Sequence, residues 1–132
     1  MEDERLKYLY DIREAAVAIL RFVRDKTFHD YEQDELLRSG VERKFEIIGE
    51  ALNRIGRDHP SILDRIRKHR TIVSFRNILI HGYDSIDNRI VWGIIEANLG
   101  KLLEDVGEIT CRGGSNQWVH LTGNPLALLT GR

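Results

Sequence analysis

Residues 30–56 read DYEQDELLRSGVERKFEIIGEALNRIG. Leu36, Leu37, Val41, Phe45, Ile48, Ala51, Leu52 and Ile55 recur at three- and four-residue spacing, which places them on one face of a helix with charge opposite. Asp30 is the expected N-cap, Asp34 and Glu35 put negative charge near the helix start, and Gly56 closes it. Gly40 and Gly49 lie inside, each at a cost of up to about 1 kcal/mol relative to alanine, so close packing or a bend is expected there.

The same period extends in both directions. Upstream, Glu2 to Lys26 contains no proline or glycine and repeats Leu6, Leu9, Tyr10, Arg13, Ala16, Val17, Leu20 and Val23 with helical spacing. Downstream, Asp58 to Ser61 is a turn opening a short helix with Ile62, Leu63 and Ile66 on its buried side. Residues 71–81, TIVSFRNILIH, are apolar enough to be buried and stop at Gly82. Asn88 to about Glu108 carries Ile90, Val91, Ile94, Ile95, Leu99, Leu102, Leu103 and Val106. The expected fold class is therefore all-α, an up-and-down bundle of four to five helices.

Residues 1–110 are expected to form this helical domain, and residues 111–132, with four glycines, a proline and almost no charge, an irregular C-terminal tail. Only Trp118 to Leu121 hints at strand alternation, and the tail's apolar residues are also suited to folding back or meeting a second subunit. With 132 residues, 42% hydrophobic and 31% charged, one domain is expected. The single cysteine, Cys111, cannot make an internal disulfide, the charged start does not resemble a signal peptide, and no apolar run reaches the ~20 residues of a membrane span. A cytoplasmic location follows as an expectation.

The net charge of −1 hides an uneven distribution. Residues 54–76 hold seven basic side chains against Asp58 and Asp64, while the flanking segments are acidic. Such a local surface attracts phosphates, or is simply a solvated basic helix.

Residues 75–83, FRNILIHGY, gather an arginine, an asparagine, a histidine and a phenol in an otherwise apolar segment. One reading is structural: Asn77 and His81, four apart, hydrogen-bond each other above a Gly82 C-cap. The other is cleavage of an RNA phosphodiester, which needs a base for the 2′-hydroxyl, an acid for the 5′-oxygen and a cation for the phosphorane. His81 suits base or acid, and Arg76 is the cation. They lie roughly 140° apart around an ideal helix, and one subunit has one such histidine, so this chemistry asks for a two-fold homodimer. Glu46 and Glu50 are candidates to orient Arg76, or to form ordinary surface ion pairs. The remaining histidines have no companions at metal-ligand spacing, so no metal site is expected, and no Gly-rich phosphate loop is present.

VERKFEIIGEALNRIG at 41–56, RNILIHGY at 76–83 and IVWGIIEANLGKLLEDV at 90–106 together resemble HEPN proteins of the HepT type, across most of residues 3–108. The resemblance implies a metal-independent endoribonuclease site formed by Arg76 and His81 at a homodimer interface, with no cofactor; Asn77 and Glu50 are the residues expected to support it. It also implies a toxin of a type II, or AMP-transferring type VII, toxin–antitoxin system. Its partner would be a small nucleotidyltransferase antitoxin that transfers AMP to Tyr83, giving a phosphate-bearing side chain. The alternative is a non-catalytic module that binds nucleotide or partner through the same residues.

Overall fold

The computed structural model describes residues 2–81 and 86–112. Among these residues the chain forms α1 (Glu2–Val23), α2 (Phe28–Gln33), α3 (Glu35–Asp58), α4 (Pro60–Leu63), α5 (His69–His81) and α6 (Asn88–Arg112), with no strand. The all-α expectation holds, with six helical segments in place of four or five.

The extra segment arises at the start of the second expected helix. Thr27 and Asp30 form a reciprocal capping box: the Thr27 Oγ1 accepts from the Asp30 N–H at 3.1 Å, and the Asp30 carboxylate accepts from the Thr27 N–H at 2.9 Å. Asp30 is thus the third residue of a separate one-and-a-half-turn helix and not an N-cap. Asp34 ends that helix in an extended conformation and caps the next, its Oδ1 accepting from the Leu37 N–H at 3.1 Å.

The core forms where three long amphipathic helices turn their apolar faces together. Leu9, Ile12, Ala16, Ile19 and Leu20 of α1 are buried, as are Val41, Phe45, Ile48, Leu52 and Ile55 of α3 and Val91, Ile95, Leu99, Leu102 and Val106 of α6. α1 packs against both α3 and α6. Trp92 of α6 meets Tyr31 of α2 at a ring-centroid distance of 5.5 Å, and Phe28 edge-on at 6.3 Å. Asp105 of α6 anchors the link before α5, accepting from the Arg67 backbone N–H at 2.9 Å and from its Nε at 3.1 Å.

Several expected core positions lie outside. Leu6 and Tyr10 are exposed because their stripe on α1, continued by Arg13 and Val17, becomes buried only toward the carboxyl half of the helix. Leu36 and Ile90 sit in the first turns of α3 and α6 and are also exposed. α5 departs most from expectation: Ile72 and Phe75 are buried, whereas Ile78 is 50% and Ile80 36% exposed. No described helix is long and apolar enough to cross a membrane. Gly82, Tyr83 and the expected tail from residue 113 onward lie outside the described residues.

Candidate functional site

α5 reaches its position through two contacts with α3. Phe75 packs edge-on against Phe45 at 5.1 Å between ring centroids, with 88° between the planes. One residue later, Arg76 passes over Gly49, where an added β-carbon would stand 2.4 Å from Cγ and 2.5 Å from Cβ of the arginine. Only glycine allows this approach, which answers the expectation of close packing at position 49. Gly40 plays a milder role, with Phe22 3.4 Å from its absent β-carbon.

Lying on α3, the Arg76 side chain is 20% exposed and its guanidinium is fixed at both ends. Nη2 donates to Glu50 Oε1 at 2.7 Å, and Nη1 donates to Asn77 Oδ1 at 3.1 Å. Nε is buried without a hydrogen-bond partner among the described residues. One N–H of each terminal nitrogen is left for a ligand.

Glu50 is shared. Its second oxygen accepts from Arg54 Nε at 3.2 Å. Tyr8 and Glu50 together hold the Arg54 proton more tightly than in a free arginine. Glu46, the other acidic candidate, pairs with Arg43 at 3.3 Å and takes no part at Arg76. Both glutamates were candidates in the sequence and Glu50 the preferred one; Arg54 was not among the site residues, although its spacing four residues after Glu50 is the ordinary mark of a helical ion pair.

His81, the last residue of α5, is exposed, and its side chain makes no hydrogen bond or ion pair among the described residues. Asn77 bonds to Arg76 and not to His81. The structure therefore brings Arg76, Asn77 and Glu50 together, and places His81 one turn beyond Asn77 on the outer side of the helix. Tyr83 falls outside the described residues. Among those described, no group of three or more histidine, cysteine or acidic side chains is arranged to hold a metal.

The described helices form a bundle in which a fixed arginine precedes, by five positions on the same helix, an exposed histidine. The HepT-like ribonuclease family model matches residues 12–109, and the chain belongs to that family. It is similar to the "Putative RNase MJ1380" of Methanocaldococcus jannaschii, with 33% identity over 75% of this chain and 90% of the relative. It is likewise similar to the "Probable ribonuclease HepT" of Thermococcus cleftensis, with 34% identity over 77% of this chain and 92% of the relative. No solved structure matches the chain.

Proposed function

We propose that the chain is a metal-independent endoribonuclease, the toxin of a toxin–antitoxin pair, acting through Arg76 and His81 in a composite site at a homodimer interface. The observation that carries this reading is the contrast between the two side chains: Arg76 is held by Glu50 and Asn77 with N–H groups to spare, while the His81 side chain is exposed and has no partner among the described residues. A preorganised cation and an uncommitted proton carrier are what in-line attack by a ribose 2′-hydroxyl requires.

In the dimer, one His81 takes the proton of the 2′-hydroxyl as its oxygen attacks phosphorus. The partner's His81 protonates the departing 5′-oxygen, and Arg76 donates to the phosphorane oxygens. The products are a 2′,3′-cyclic phosphate and a free 5′-hydroxyl. Exposed Ile78 and Ile80, flanking the histidine on α5, are suitable apolar surface for the second copy. The antitoxin is a nucleotidyltransferase whose ATP is attacked at the α-phosphorus by the Tyr83 hydroxyl, with pyrophosphate leaving. The attached AMP phosphate then pairs with Arg76 and blocks RNA entry.

The test is cleavage of a defined RNA by the purified protein in EDTA, with the 3′ ends mapped. Cyclic phosphate ends in wild type, absent in His81→Ala and Arg76→Ala, support the proposal. RNA binding without cleavage would favour the non-catalytic module. For the regulatory part, Tyr83→Phe co-expressed with the cognate nucleotidyltransferase should carry no AMP; AMP still found by mass spectrometry would move the modified residue elsewhere.

A further inference from the structure

The basic stretch 54–76 divides into two groups once folded. Arg54 and Arg76 are paired with Glu50, and Arg67 with Glu104 and Asp105. Arg57, Arg65, Lys68 and Arg70 form no ion pair among the described residues. The uncommitted charge therefore collects where α3 ends and α5 begins, away from the Arg76–Glu50 pair.

A cleft of about 410 Å3 opens between the two helices there. Its floor is apolar, from Leu52, Leu63 and Val73, and its rim carries Asn53, Ser74 and Arg70. The cleft is aligned with the motif. At 100° per residue Arg70, Ser74, Asn77 and His81 fall within about 60° of one another on α5, and all four are exposed. On the opposing wall Asn53 lines the cleft, and exposed Arg57 follows it four residues further along α3. A continuous polar track thus runs from His81 to Arg70, about 16 Å along the helix axis at 1.5 Å per residue.

We infer that this cleft is a subsite for the RNA strand beside the cleavage position. Arg70 and Arg57 hold backbone phosphates, and one unstacked base lies on the floor formed by Leu52, Leu63 and Val73, within reach of Asn53 and Ser74. The chemistry matches single-stranded RNA, whose bases bind apolar surface through their faces while cations follow the backbone. A double helix cannot place a paired base in the cleft. The inference rests on the proposed ribonuclease reading and adds to it the strand's path and the need for several unpaired nucleotides.

The experiment measures binding of a fluorescein-labelled 12-nucleotide oligouridine by anisotropy across a salt series, with all proteins carrying His81→Ala so that the RNA survives. Arg57→Gln with Arg70→Gln should weaken binding roughly tenfold and lower the slope of log K against log salt by about 1.4, or about 0.7 per lost phosphate contact. Ser74→Glu, which adds a carboxylate to the rim, should weaken binding as well. Arg24→Gln with Lys26→Gln, an equal charge loss on an exposed segment outside the cleft, should change neither quantity. The substituted side chains are exposed, so unchanged melting temperatures confirm folding. Equal affinity and slope in every variant, or no binding by any of them, overturns the subsite. With His81 restored, the two claims separate: Arg70-dependent binding without cleavage removes the nuclease reading and keeps the subsite, whereas cleavage of the oligouridine unaffected by Arg57→Gln with Arg70→Gln does the reverse.

Discussion

Arg76 lies flat across the backbone of α3 at Gly49, where a β-carbon would come within 2.4 Å of its Cγ. The helix crossing and the placement of the guanidinium are consequently one arrangement: whatever separates α3 from α5 also moves Arg76 away from Glu50. Gly49→Ala should destabilise the fold by about 1–3 kcal/mol, the usual cost of forcing extra volume into a packed contact. It should also reduce RNA cleavage in conditions where the protein remains folded. Urea denaturation gives the first quantity and cleavage assays at low temperature the second. Wild-type stability in Gly49→Ala would show that the helices separate freely.

Glu50 should matter more to turnover than to stability. It is 44% exposed, and a half-exposed ion pair contributes less than about 1 kcal/mol, so Glu50→Gln is expected to melt close to wild type. Loss of the charged acceptor frees one end of the Arg76 guanidinium, and kcat should fall roughly tenfold, the equivalent of about 1.4 kcal/mol in transition-state stabilisation. KM should change little, because the positioning acts on the phosphorane. A change confined to KM would place Glu50 in substrate binding instead.

The Tyr31 hydroxyl is fully buried with no hydrogen-bond partner among the described residues, and burial pushes its ionisation well above the ordinary range. Tyr31→Phe keeps the ring contact with Trp92 and removes an unsatisfied polar group. Stability should stay level or rise by about 1 kcal/mol. A clear loss on thermal unfolding would reveal a partner for the hydroxyl.

Burial, reinforced by the positive charge of Arg70 and opposed by Asp64, holds the His69 imidazole below its ordinary pKa. The unfolded chain therefore takes up this proton more readily than the native one. The stabilising contribution is fully present above about pH 6.5 and is lost as pH falls toward the folded value. Unfolding free energy should decline between about pH 7 and about pH 5, and decline less in His69→Gln. Parallel curves for the two proteins would exclude His69 as a source of acid sensitivity.

The three long helices were legible because their burial repeats every three to four residues, as with Val41, Phe45, Ile48, Leu52 and Ile55. The boundary at Asp34 was not, because one aspartate both ends α2 and caps α3, leaving no run of turn residues between them. Helical spacing alone did not separate Glu46 from Glu50. Both face outward from α3 by sequence, and which one meets Arg76 depends on how α5 slides along α3, a register fixed by Gly49 across 27 residues of chain. Ile78 and Ile80 misled in another way: apolar character signalled burial, whereas their surroundings within one chain leave them in water.

The packing of α1 between α3 and α6 has a consequence for how the chain is made. Synthesis runs from the amino end, so α1 emerges first, yet part of its apolar surface waits for residues 88–112, among the last of the folded unit to appear. Until then Leu9, Ile12 and Ile19 lack the cover that α6 provides, and a nascent chain stalled before α6 displays an open greasy seam to chaperones and proteases.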